Sequence, residues 1–340
     1  MRTHLHDAMI KTAVALLFLL GSSLQTQAQI PQRVFAGVDK TFDDHAPTLG
    51  LHVSSLSTPE WKNAGWPGFA VRTVALSVAT GSPKILLGGP NGVLRPFTNP
   101  TGWQLLTAWR LTDILDVKID PDDPGRIFAA TASGIYLSAN NGREWKPSND
   151  GLNNSFISCL LIDTKQEDRI LAGTEEGLFE STDNGDHWRL LAFPGVAIRA
   201  LLREPESWPG IFWVGTEYHG LYESFDGGET FEAVDMERDS VSVYALAGGG
   251  AHAPIYAGVF EQGLYRASSP GENWSHVEDT ESLGTVLCIL PMDELRILFV
   301  GTHQKGVMKS ADSGRTWQSF GLSGAPVRAL VLGEVDWSKP

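Results

Sequence analysis

Seven short apolar runs punctuate this chain, at residues 71–76, 115–119, 157–162, 198–202, 243–247, 286–290 and 327–332, and polar stretches rich in Gly, Asn and Asp separate them. A second run ending in Gly-Thr or a variant follows each of the first six, as in Ile170-Leu171-Ala172-Gly173-Thr174 and Phe212-Trp213-Val214-Gly215-Thr216. Next comes a Gly with two apolar residues, at Gly92, Gly134, Gly177, Gly220, Gly263 and Gly306, at intervals of 42 or 43 residues; Gly50-Leu51 extends the series backward. Eleven residues beyond each of these glycines stands an aromatic: Trp61, Trp103, Trp145, Trp188, Phe231, Trp274 and Trp317. A fixed period of this length is the mark of a repeat architecture. Each unit holds four short strands: A, the first run; B, ending in Gly-Thr; C, carrying Gly-Leu-Tyr/Phe; and D, beginning at the aromatic. Four strands in about 43 residues form one blade of a β-propeller.

The two ends of the chain complement one another. The last A run, 327–332, has no B strand after it, and the first unit opens with Val34-Phe35-Ala36-Gly37, a B strand with no A before it. The reading is therefore an all-β, single seven-bladed β-propeller over residues 29–340, its ring closed by the C-terminal strand pairing with the N-terminal strands. Closure leaves no long sheet edge exposed.

Between the Gly and the aromatic, three copies read S-T-D-N-G-D-H-W (Ser181, Asp183, Gly185, Trp188), S-F-D-G-G-E-T-F (Ser224, Asp226, Gly228, Phe231) and S-A-D-S-G-R-T-W (Ser310, Asp312, Gly314, Trp317). A fourth has Asn140 at the Asp position, with Ser138, Gly142 and Trp145 around it. In a hairpin, such an Asp accepts hydrogen bonds from turn N–H groups, the Gly takes positive φ, and the Trp packs back over the turn. These boxes are read as structural staples. They match S/T-x-D-x-G-x-T-W/F, so the chain resembles the Asp-box, or bacterial neuraminidase repeat, family of β-propellers, in which the boxes lie away from the ligand site.

Together with the G-T-x-x-G-L-F-x-S-x-D-x-G and V-R-A-L patterns, the chain looks most like the photosystem II stability/assembly-factor group. That resemblance implies a non-enzymatic binding scaffold with an arginine patch, holding a protein or peptide; sortilin-type propellers are similar in strand motif. Sialidases and xyloglucanase-type hydrolases are more distant relatives, and they make a glycoside hydrolase acting on oligosaccharides the alternative. This chain lacks the early Arg-Ile-Pro of the six-bladed sialidases, offering Arg33-Val34-Phe35, and it holds one propeller where the xyloglucanases use two.

Of the 340 residues, 26 are Lys or Arg and 40 Asp or Glu. Arg2 and Lys11 precede a short apolar run from 13 to 20, too short to span a bilayer, and Thr26-Gln27-Ala28 gives a small-residue cleavage step. Residues 1–28 read as a signal peptide, so an exported protein, periplasmic or extracellular, is expected. Without them the chain keeps 24 basic and 39 acidic residues, a net charge of −15. Such a surface repels nucleic acid and anionic membranes, and no second apolar run is long enough for membrane insertion. Cys159 and Cys288, three repeat units apart, are read as two buried free thiols. A monomer is expected, without metal or cofactor.

By connectivity, the A–B and C–D turns share one face of a propeller and the B–C and D–A connections share the other. The boxes are C–D turns, so ligand chemistry is expected on the opposite face. The residues assigned to one position near the start of each A strand are Arg72, Asp116, Ser158, Arg199, Tyr244, Leu287 and Arg328. Arg offers a planar fork to a carboxylate; Arg72, Arg199 and Arg328 with Asp116 and the B–C loop residues Glu217, Tyr218 and His219 form the candidate ligand set. Hydrolysis needs two carboxylates facing one bond. Glu175, Glu217 and Tyr244 are its candidates, and no metalloprotease, P-loop or serine-hydrolase motif is present.

Overall fold

The computed structural model describes residues 32–333 apart from the stretches 41–46, 67, 78–83, 97–101, 153–155, 205–208, 239 and 249–252. The segment 1–28 lies outside the described residues. Seven four-stranded antiparallel sheets follow one another around a ring. Their innermost strands are Val327–Gly333, Thr73–Ser77, Ile114–Ile119, Ile157–Ile162, Ile198–Arg203, Val243–Gly248 and Val286–Met292, taken from blade 1 to blade 7. Each packs against the next, and the last against the first. Blade 1 joins the chain ends: Val34 pairs with Leu332, Phe35 with Val331 and Ala36 with Leu330.

The Gly of the Gly-Thr pattern sets how closely neighbouring blades approach. A Cβ added at Gly37, Gly88, Gly173, Gly215, Gly258 or Gly301 would lie 2.7–2.9 Å from a side-chain carbon of the next blade's Val71, Ile114, Ile198, Val243, Val286 or Val327. Those β-branched residues, with Ile157, are fully buried. β-Branched side chains suit strands because their restricted χ1 fits the pleated surface, and here each one fills the notch that a glycine leaves. Blade 3 has Ala130 instead, which packs in one cluster with Ile157.

The core is divided into seven clusters that follow the seams between blades. Trp188 of blade 4 lies with Phe128 and Ile135 of blade 3, Trp61 of blade 1 with Phe299 and Phe320 of blade 7, and Trp274 of blade 6 with Trp213 and Leu221 of blade 5. Each repeat aromatic thus reaches into the preceding blade as well as covering its own turn. Trp145 Nε1 donates to Leu106 O of blade 2 at 3.2 Å. This commitment shortens the outermost strands, most of which begin one residue after the aromatic and run for only two residues, as in Lys146–Pro147 and Gln318–Ser319.

Cys159 and Cys288 are free thiols in blades 4 and 7. Burial pushes both up to about 12.

The seam packing makes a direct prediction. Gly258→Ala, whose Cβ would meet Val286 Cγ1 and O at 2.9 Å, should cost about 1–3 kcal/mol of stability in denaturant unfolding, as overpacking does. Ala130→Gly should cost only about 0.5–1 kcal/mol.

Candidate functional site

The face opposite the boxes is built on hairpin turns that the Gly-Thr threonines close. Thr131, Thr174, Thr216 and Thr302 are fully buried; their Oγ1 atoms donate to the carbonyls of Gly134, Gly177, Gly220 and Gly306 at 2.7–3.0 Å. The first strand-C glycine takes positive φ in each, 122° at Gly134 and 68° at Gly306. Rigid B–C turns follow from these two residues.

A β-bulge near the start of six of the seven innermost strands aims one residue out of the ladder. The extra residues are Leu115, Ser158, Arg199, Tyr244, Leu287 and Arg328. Bulges re-aim side chains in this way. Arg72 stands immediately before its strand. Asp116 does not share this position. It pairs with Ala130 as Cys159 pairs with Gly173 and Ala200 with Gly215, so it sits one residue further along, and Leu115 occupies the arginine position of blade 3. The bulge hid this one-residue offset from a reading that counted along the chain. The Asp116 carboxylate is buried and accepts from Thr73 Oγ1 at 3.0 Å, its neighbour's Val117 N at 2.9 Å and Leu160 N at 3.0 Å, and it pairs with Lys118 Nζ at 3.0 Å. It ties blades 2, 3 and 4 together, and among the described residues it makes no ion pair with an arginine.

The remaining candidates form two centres. In the first, Arg199 lies between two carboxylates: Nη1 donates to Glu175 Oε1 at 2.8 Å, and Nη2 donates to Glu175 Oε2 at 3.3 Å and to Glu217 Oε2. Glu217 N donates to Ala197 O at 2.9 Å, which fixes its loop. Tyr244 Oη donates to Glu217 Oε1 at 3.3 Å, and its ring lies 6.1 Å from that of Phe260. Burial, and then the charge of Glu217, hold the Tyr244 hydroxyl above the usual phenol range, so it is a neutral donor. The Arg199 side chain is only 14% exposed.

The second centre joins the two ends of the chain. Asp39, just past the first strand, receives Arg328 Nε at 2.7 Å on Oδ2, and Arg72 Nε lies 3.5 Å from the same oxygen. Arg72 Nη1 reaches Asp113 Oδ1 at 3.5 Å. Asp39 is nearly fully buried, whereas the Arg328 side chain is 43% exposed. Among the described residues, the Arg328 Nη groups have no hydrogen-bond partner. Charge-assisted bonds of this kind are the stronger class.

Tyr218 and His219 stand exposed in the same loop as Glu217. Tyr218 has φ of 64°; His219 Nδ1 meets Glu217 O at 2.9 Å. Sequence reasoning missed Asp39, Asp113 and the exposed aromatics Trp66, Trp109 and Phe260 of the same face. The equivalence of residues 34–38 with the other B strands placed Asp39 at a B–C loop, and that register was its one available signal. Among the described residues, no group of His, Cys, Asp and Glu is arranged to hold a metal ion.

A closed ring of seven blades with charged residues at the starts of the innermost strands defines a seven-bladed β-propeller with one elaborated face. Solved structures of similar fold include the GH74 xyloglucanase from Xanthomonas campestris, at 19% identity and a TM-score of 0.61, over 74% of this chain and 45% of that one. YCF48 from Cyanidioschyzon merolae is similar at 17% identity and a TM-score of 0.58, over 84% of this chain and 97% of that one. A structure of YCF48 bound to D1 peptide matches at 15% identity and 0.55, over 78% and 88%. This chain spans less than half of the xyloglucanase. No protein-family profile and no curated protein sequence matches the chain.

The boxes lie on the other face. Ser310 Oγ donates to Asp312 Oδ1 at 2.7 Å and accepts from Gly314 N at 2.8 Å, while Thr316 N and Oγ1 donate to the carboxylate at 2.9 and 2.7 Å. Ser181, Asp183 and Gly185 repeat this, with His187 in place of the Thr, as do Ser224, Asp226 and Gly228 with Thr230. Asn140 does the same with Oδ1, accepting from Ser138 Oγ and Glu144 N. Donation from Thr316 holds the Asp312 carboxyl down to about 2, and the backbone N–H of His187 does most to hold Asp183 at about 2. Asp226 is lowered likewise, chiefly by Thr230.

A carboxyl depressed on folding stabilises the fold above its unfolded value, about 4, and loses that contribution as pH falls through about 2. Asp312→Asn keeps the Oδ1 acceptor, as Asn140 does, but gives up the charge and the Oδ2 acceptor of Thr316 Oγ1, and should lower the thermal midpoint at neutral pH modestly. Asp312→Ala should lower it further. The gap between the aspartate protein and the asparagine variant should then shift toward the variant on acidification, a comparison that thermal melts at both pH values would make.

Proposed function

We propose that this chain is an exported, non-enzymatic scaffold that holds a protein or peptide partner on the B–C and D–A face, where Arg328 and Arg72 meet carboxylate groups. The observation that carries the reading is the state of Arg328: its Nε donates to Asp39 Oδ2 at 2.7 Å, its side chain is 43% exposed, and among the described residues its Nη groups have no hydrogen-bond partner. A fixed, half-exposed fork is preorganised for an incoming carboxylate. Trp66, Trp109, Tyr218 and Phe260 add exposed aromatic area to this face, the residue type that dominates protein interfaces. YCF48, similar in fold, has been solved with a peptide bound, which supports the same use here. Among the described residues no helix is long and apolar enough to cross a membrane. Export would remove residues 1–28, and the intact mass of the processed protein reports that cleavage.

One observation favours a glycoside hydrolase instead: Tyr244 and Glu217 are in contact beside Arg199. Against it, Glu175 and Glu217 are both bound by a single guanidinium, whereas glycoside hydrolysis needs two carboxyl groups presented to one bond. The raised Tyr244 hydroxyl also disfavours a phenolate nucleophile.

The test uses fluorescein-labelled ten-residue peptides with graded acidic content and with free or amidated C-termini, read by anisotropy. Acidic or free-carboxylate peptides should bind, and Arg72→Ala with Arg328→Ala should weaken them at least about tenfold, since charge-assisted bonds are worth roughly 1.5 to 3 kcal/mol each. The salt dependence should flatten in parallel. Turnover of chromogenic glycosides or xyloglucan, abolished by Glu217→Gln or Glu175→Gln, would overturn the scaffold reading.

A further inference from the structure

Next to the Arg199 centre, the same face carries an open cleft of about 500 Å³. It lies between the B–C turn of blade 5 and the connection to blade 6. Its apolar wall is Val234, Met236 and Val241, the last two almost fully buried and part of the seam core. Its polar lining is His219, Asp235, Glu237, Arg238 and Ser240. Arg238 is drawn toward Glu281, at 3.8 Å, which adds a further carboxylate to that side. His219 Nδ1 meets a carbonyl, and a carbonyl only accepts, so in the neutral ring Nδ1 carries the proton and Nε2 is an acceptor.

We infer that this cleft is a subsite for a basic side chain, Lys or Arg, of the polypeptide partner. The aliphatic stem of such a side chain lies along Met236 and Val241 while its head meets Asp235, Glu237 and the His219 acceptor, the division of labour that long cationic side chains favour. A ligand carboxylate is disfavoured here, because Arg238 lies 3.8 Å from Glu281 and the other charged lining residues among those described, Asp235 and Glu237, are acidic. The inference rests on the peptide-binding reading and adds polarity to it: the Arg328 side of the ring takes acidic groups, and the blade 5 side takes a basic one. A partner would then be oriented on the face, not merely retained.

The chain has five methionines, and Met236 is the one in the cleft wall, so its methyl resonance, assigned through Met236→Leu, reports occupancy directly. The full-length protein is titrated with Nα-acetyl-arginine methylamide and its lysine counterpart, with citrulline and aspartate analogues as controls. The basic probes should shift the Met236 methyl saturably, the citrulline and aspartate probes should not, and Asp235→Asn with Glu237→Gln should weaken the basic probes about fivefold, as loss of two exposed ion pairs does. Equal shifts from arginine and citrulline, a shift from the aspartate probe, or no shift from the basic probes would overturn the inference. If the basic probes fail while acidic peptides still bind through Arg328, the cleft assignment falls and the scaffold stands. If neither binds, the scaffold reading falls as well.

Discussion

The structure depends on one steric contact repeated around the ring: a strand-B residue without a side chain, opposite a buried Val or Ile at the start of the next blade. Six of the seven seams use glycine, and an added Cβ at each would fall within 2.9 Å of the neighbour. Close-packed interiors respond to changes of a single methylene, so this contact sets the spacing between blades. The spacing in turn lets each repeat aromatic reach the preceding blade's core. It also brings adjacent innermost strands near enough for Asp116 to accept hydrogen bonds from its own strand and from both neighbours.

Blade spacing and ring closure together make the charged centres. Asp39 immediately follows the first strand of the chain's first unit, Arg328 belongs to its last strand, and Arg72 to the second blade. Their convergence on one carboxylate oxygen exists only because residues 327–333 pair with 33–38. The Arg199 centre is assembled the same way from blades 4, 5 and 6. Both lie on the face of the B–C and D–A connections, while the Asp boxes, whose carboxylates are consumed by their own turn N–H and hydroxyl groups, lie on the other. The division of labour between the faces follows from connectivity: the box carboxylates are engaged by their own turns, whereas bulged residues at the strand starts are directed away from the ladder.

Much of this was legible in the chain because repeat units impose one geometry on many residues. The 43-residue period and the unmatched terminal strands specified seven blades and their closure, whereas the burial of each box serine was visible only in the structure. The spatial grouping of the arginines was legible only in part. Arg72 and Arg328 occupy neighbouring blades, as their positions require, but their shared partner Asp39 is 289 residues from Arg328 in sequence and lies in a B–C connection with no Gly-Thr pair to mark it. Asp116 was misaligned because a bulge inserts one residue without altering the apolar pattern on either side of it. The reach of the tryptophans into the preceding blade had no sequence signal either, since a periodic aromatic is equally consistent with packing inside its own blade.

The central claim is that the terminal strands close the ring as one cooperative unit and thereby create the Asp39 centre. Native-state amide hydrogen exchange tests it most directly, since exchange resolves segments that open separately from those that open only on global unfolding. The account predicts that the paired amides of 34–37 and 329–332 exchange with the same free energy of opening as the central strands of the other blades. Exchange of 329–332 at a much lower opening free energy, with the other blades still protected, would show that the C-terminal strand detaches by itself and would contradict the account.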